Sequence, residues 1–312
     1  MRWDKYFRKY REYIAFFVLI STVLVMWYFK YIKSIPNYSP NNNSRVYHFY
    51  SGTISHYGDN IFPLKFFYNI SDHLRKRGIT IYYYYNPKYI KKDEIDRYIN
   101  KDTMVLRPMH EKPSYTILLH LALPMSGAHV SDSFDEYFGE MYKRLLNYMG
   151  LNDLGIDNSL YQKEEYLLKI YEKLPDKFKN VDILFLNAEP KTEKIINNKE
   201  SGDAAAIELS KRYRIVTTSP VNDEIPCTFT DGLKLQDIGA ISTHAKYIIG
   251  VNSGPLIPCL NYYTKQSVKK WIFVSNNKFT LIPWRRIHDY NNLSEIVISE
   301  IEGVEKYKTI TM

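Results

Sequence analysis

From Arg45 onward the chain alternates between short apolar runs and longer stretches that carry a single apolar stripe. Val46 to Tyr50 reads as a strand, and a loop rich in Gly, Ser and His runs from Ser51 to Asp59. Asn60 to Arg77 is predicted helical: Pro63 lies in its first turn, Phe67, Ile70 and Leu74 recur at helical spacing, and Gly78 ends it. Ile79 to Tyr85 predicts a strand buried on both faces, as in a parallel sheet. Lys88 to Ile99 is predicted helical, and Met104 to Leu106 and Ile117 to Leu121 are predicted short strands. Two further helices are expected over Phe134 to Met149 and Glu165 to Leu174. In the second, Leu167, Ile170, Tyr171 and Leu174 form one stripe.

The polar stretch Pro175 to Asn180 predicts a hinge, after which the alternation starts afresh. Strands are expected at Asp182 to Leu186, Ile215 to Thr218, Tyr247 to Val251 and Lys270 to Val274. Helices are expected at Asp203 to Lys211, Leu235 to His244, Pro255 to Tyr263 and Leu293 to Ile301. Strands alternating with helices argue for parallel sheets with right-handed crossovers. Two successive sets predict an α/β protein of two doubly wound domains, 45–176 and 177–312, facing a cleft.

Ahead of them, Tyr13 to Phe29 is an uncharged apolar run between basic flanks. At about 1.5 Å per residue it would span roughly 26 Å, near the thickness of a thin bilayer. Basic residues are more numerous before the run than after it, which places 1–12 in the cytosol, 13–29 in the membrane as a signal-anchor and the rest in the ER or Golgi lumen or an equivalent compartment. Residues 30–44, rich in Asn, Ser and Pro, read as a stem. Asn37, Asn42, Asn69 and Asn292 open Asn-x-Ser triplets that could carry glycans in a lumen. Cys227 and Cys259 could pair there, though free buried thiols are favoured. The net charge of +8 is spread along the chain without a basic stripe interleaved with aromatics, so nucleic-acid binding is not expected.

Two loops carry the candidate chemistry. Ile248-Ile249-Gly250-Val251-Asn252-Ser253-Gly254-Pro255-Leu256 is a β-branched run ending in a small polar turn before a predicted helix. Free backbone N–H groups there, with Ser253 and Gly254 foremost and Asn252 and Pro255 beside them, suit an anion; an ordinary β–α turn is the alternative. The other is His56-Tyr57-Gly58-Asp59-Asn60, after the first strand. Asp59 near a helix N-terminus could act as a base, or simply cap its helix. His56 could bind an acceptor or assist. Thr218, after Thr217, could reach a nucleotide or cap, and Arg285 with Arg286 could neutralise phosphate. Asp237 and His244 share one helix face and read as solvated. There is no Asp-x-Asp for a metal–diphosphate clamp, so no metal is expected.

Gly58-Asp59 followed by Ile61-Phe62-Pro63-Leu64, taken with Ile248 to Leu256, resembles heptosyltransferase-like glycosyltransferases of the GT-B fold. The resemblance implies two Rossmann-like domains, Asp59 as the base that deprotonates an acceptor hydroxyl, and the Gly254 turn as the holder of a donor diphosphate. It also implies inverting stereochemistry. The family's second loop reads Asp-Thr/Ser-Gly-x-x-His, whereas here Asn252 replaces the aspartate and Ile257 the histidine. The expected function is therefore a membrane-anchored, metal-independent glycosyltransferase. Its donor is a nucleotide-diphosphate sugar, a substrate rather than a cofactor, and its acceptor a glycan or glycoconjugate. The alternatives are a nucleotide-sugar epimerase or hydrolase of the same fold, or a non-catalytic membrane-tethered module that binds glycan or nucleotide.

Overall fold

The computed structural model describes residues 45–51, 57–119, 134–157, 159, 161–188, 199–250, 254–274, 285–287 and 293–303. The expected cytosolic tail, membrane span and stem lie outside the described residues, as do His56, Asn252 and Ser253. Among the described residues no helix is long and apolar enough to cross a membrane.

The expected mixed α/β architecture with parallel sheets is present. The first sheet has strands β1 (Val46–Tyr50), β2 (Thr80–Tyr85), β3 (Met104–Pro108) and β4 (Ile117–Leu118), in the order β3-β2-β1-β4. The second has β5 (Ile183–Leu186), β6 (Ile215–Thr217), β7 (Tyr247–Gly250), β8 (Lys270–Val274) and β9 (Arg285–Ile287), in the order β6-β5-β7-β8-β9. Every pairing is parallel. β5 is buried at all four positions, which a parallel sheet covered on both faces requires.

Aromatic packing holds the first half together. Phe49 stacks on Phe67 at 5.2 Å between ring centroids, and Phe66 on Tyr142 at 4.2 Å. These contacts fix helix α1 (Tyr57–Asn69) against β1 and against the helix Phe134–Tyr148. In the second half Ile183, Phe185, Ile249 and Ile272 line one sheet face under the helices Lys199–Ser210 and Leu293–Glu302. The helix Leu235–Ser242 and the 3-10 turn Gly254–Cys259, both heavily buried, pack against each other.

Several elements depart from expectation. The first helix starts earlier, at Tyr57, and ends at Asn69, with a short helix Ser71–Lys76 after it. Pro63 therefore sits inside α1, beyond its first turn, rather than opening it. Lys88 to Ile99 holds only one α turn, Lys92–Ile95, and a 3-10 turn. Pro255 to Tyr263 splits into the 3-10 turn and the helix Tyr262–Ser267, because Pro258 removes a backbone donor and the Asn261 side chain caps a new start by accepting from Thr264 N–H at 2.9 Å. β9 carried no sequence signal. The predicted hinge contains Phe178, fully buried in a 3-10 turn, so its polar neighbours hide a core anchor. Cys227 and Cys259 are free and buried. Asn69 Nδ2, the atom a glycan would take, donates to Gln162 Oε1 at 2.6 Å and is committed to the fold.

Candidate active site

In an open α/β sheet, ligands bind beyond the carboxyl ends of the strands, where the strand order reverses. In the first sheet that point lies between β1 and β4, and the chain leaving β1 returns as α1. Gly58, Asp59 and Asn60 make up its first turn. Asp59 is half-buried and lies within the first turn of the helix. A carboxylate there is favoured by the positive end of the helix dipole. Asn60 is buried and accepts from the Tyr83 hydroxyl at 3.1 Å, so its side chain faces the sheet rather than an acceptor. Burial raises the Tyr83 hydroxyl well above the usual tyrosine range, and the neighbouring Asp59 charge raises it further.

In the second sheet the order reverses between β5 and β7. There Leu186 pairs with Gly250, and a methyl group on Gly250 would lie 2.9 Å from Leu186 Cβ, so glycine is required for the strands to close. The chain re-enters the described residues at Gly254, which opens the 3-10 turn. The end of β6 lies next to that of β5. Asn187 Oδ1 accepts from the backbone N–H groups of Thr218 at 3.0 Å and Ser219 at 2.7 Å, while Thr218 Oγ1 accepts from Ala188 N–H at 3.1 Å. The Thr218 hydroxyl therefore knits two strand ends together. Arg285 begins β9, two strands away from β7 at the sheet edge, paired with Ile272.

The two turns adjoin. A methyl group built on Gly58 would lie 3.2 Å from Ile257 Cγ1, and one on Gly254 would lie 3.7 Å from Tyr57 Cβ. The first turn of α1 and the Gly254 turn thus lie in van der Waals reach of each other, more tightly at Gly58 than at Gly254. Gly58 and Gly254 lie at this contact, with Asp59 and Pro255 next to them in sequence; Arg285 lies on β9, two strands from β7, and Thr218 follows β6.

Sequence reasoning missed the residues that hold this junction. Asp237 and His244, read as solvated, belong to it. Asp237 accepts from Arg97 Nη1 at 3.1 and 3.2 Å and also from the backbone N–H of Lys234 at 2.7 Å, and the His244 ring stacks on Tyr171 at 3.7 Å. Lys234 reaches Glu94 at 2.9 Å and Asp93 at 3.1 Å. Lys65, in the apolar run of α1, is 4% exposed and bonds the end of the Gly254 turn. A lysine inside Phe62-Pro63-Leu64-Lys65-Phe66-Phe67 was the available signal.

No protein-family profile and no curated protein sequence matches the chain. Among solved structures the chain is similar to a glycosyl transferase family 9 protein from Veillonella parvula, with a TM-score of 0.42 and 13% identity over 86% of this chain and 92% of that one.

Proposed function

We propose that this protein is a glycosyltransferase of the GT-B type that moves a sugar from a nucleotide-diphosphate donor to a glycan or glycoconjugate hydroxyl. The observation that carries the reading is the meeting of the two motif-bearing turns, each at the switch point of its own parallel sheet, with Gly58 against Ile257 and Gly254 against Tyr57. A transferase needs that juxtaposition; a simple nucleotide-binding module needs one crevice.

In this reading Asp59 takes the proton from the acceptor hydroxyl as its oxygen forms the bond to the anomeric carbon. The bond from that carbon to the diphosphate breaks, and the nucleoside diphosphate leaves with the electron pair. Attack opposite the leaving group inverts the anomeric centre. Backbone N–H groups of the Gly254 turn face the charge that develops on the diphosphate, where fixed dipoles stabilise it most. The segment 13–29 would tether the catalytic part to a membrane, with that part in a lumen.

The test uses the full chain in detergent. A panel of nucleotide sugars is screened by thermal shift, and release of nucleoside diphosphate is then followed with and without acceptor glycans. The proposal expects one donor to stabilise the protein and its turnover to depend on acceptor. Turnover equal with and without acceptor would make the protein a hydrolase, and stabilisation by no donor would refute the reading.

A further inference from the structure

Lys65 stands in the middle of the buried face of α1, between Leu64 and Phe66, which are 0% and 1% exposed. An ammonium has three donor hydrogens and no acceptor. Here the nitrogen lies 3.0 Å from the Leu260 carbonyl, 3.3 Å from the Ile257 carbonyl and 3.3 Å from Glu164 Oε2. Two of these are hydrogen bonds to carbonyls, and the third contact is an ion pair. Ile257 and Leu260 close the turn that begins at Gly254, and Glu164 immediately precedes the helix Glu165–Lys173. One side chain of the first half therefore grips both the turn and the connecting segment, where Gln162 also accepts from Tyr262 N–H at 3.1 Å and from Asn69.

The neighbouring groups offer Lys65 no other anion. Burial pushes the Cys259 thiol up to about 12, and it pushes the Tyr98 and Tyr166 hydroxyls well above their usual range, with the Glu164 charge adding to both. Burial also raises the Glu164 carboxyl, against the pull of Lys65. A buried ion pair of this kind is poor evidence for stability, since an apolar pair of similar size commonly folds as well. What an apolar pair cannot supply is a directional bond from α1 to the turn.

We propose that Lys65 is a positioning residue: by bonding the carbonyls of Ile257 and Leu260 it fixes the helix that carries Asp59 against the turn that carries Gly254. The inference rests on the glycosyltransferase reading and assigns the alignment of its two sides to one side chain. Small misplacements of a reacting group cost large factors in rate, roughly a hundredfold per ångström.

The test compares wild type, Lys65→Met/Glu164→Met and Glu164→Gln for melting temperature, donor Kd and transfer kcat. In a second readout, spin labels are placed on Lys76→Cys and Ile207→Cys, both at exposed positions, while the native cysteines are buried. The apolar double variant is expected to fold with its kcat roughly ten- to a hundredfold lower, donor Kd nearly unchanged and a broadened label-to-label distance. Glu164→Gln, which keeps both carbonyl bonds, is expected to hold kcat and a narrow distance even where its melting temperature shifts. A double variant with wild-type kcat and distance width would overturn the inference, as would an equal loss of kcat in Glu164→Gln. If wild type binds no nucleotide sugar, the functional reading falls, and the distance width alone then upholds or overturns the tether.

Discussion

Gly239 sits in the helix Leu235–Ser242, where it faces the Gly254 turn. A methyl group there would lie 2.9 Å from the Pro258 carbonyl oxygen, 3.0 Å from Pro258 Cβ and 3.3 Å from its carbonyl carbon. Carbon–oxygen contacts normally stop near 3.3 Å or beyond. The carbonyl is not free to turn aside, because it accepts from the buried Asn261 Nδ2 at 3.0 Å. Overpacking of this kind costs about 1–3 kcal/mol, against a gain of about 1 kcal/mol for alanine over glycine inside a helix. Gly239→Ala is therefore expected to destabilise by about 0–2 kcal/mol. Gly202, in the helix Lys199–Ser210, supplies the control, since nothing lies within 4 Å of its added methyl group. Gly202→Ala should stabilise by about 0.5–1 kcal/mol through propensity alone. Urea unfolding followed by circular dichroism, fitted with a shared slope, gives the difference between the two variants. Gly239→Ala as stable as Gly202→Ala would refute the close packing of helix on turn, and with it the support that holds Gly254 beside Tyr57.

Asp59→Asn keeps the shape of the first turn and removes the proposed base. Its transfer kcat should fall by roughly 10²–10⁴, with donor affinity retained, and full activity would reassign the base. Thr218→Val removes the acceptor for Ala188 N–H and should cost about 1 kcal/mol in urea unfolding, with weaker donor binding; wild-type stability would show that the strand ends do not depend on the hydroxyl. The His48 ring packs near-parallel to those of Tyr82 and Tyr84 on the adjacent strand, and burial lowers its pKa. As pH falls below about 6.5 the unfolded chain therefore binds a proton that the folded chain resists, and stability declines. His48→Phe should lose less melting temperature than wild type between about pH 7.5 and about pH 5.5, and equal losses would contradict the shift.

The fold was legible where periodicity is strong. The runs expected as strands at Asp182 to Leu186 and Tyr247 to Val251 form strands at Ile183–Leu186 and Tyr247–Gly250, and Glu165–Lys173 follows its stripe closely. Arg285–Ile287 was hidden because three residues beginning with two arginines show no alternation. A helix start near Gly58-Asp59 and a turn at Gly254-Pro255 were legible, since small residues there reflect a local backbone need. The contacts that hold the turns together were not. Lys65 with Glu164 and Arg97 with Asp237 are separated by 99 and 140 residues, and each charge alone reads as surface. Thr218 shows a subtler limit: its position at a strand end was readable, but its commitment to Ala188 depends on a neighbouring loop.

The meeting of the two switch points is tested most directly by amide hydrogen exchange on the full chain, with and without the nucleotide sugar that a panel selects. The account predicts that the donor slows exchange both in the Gly254–Cys259 turn and in the first turn of Tyr57–Asn69. Protection confined to other segments, or to neither of these two, would contradict it.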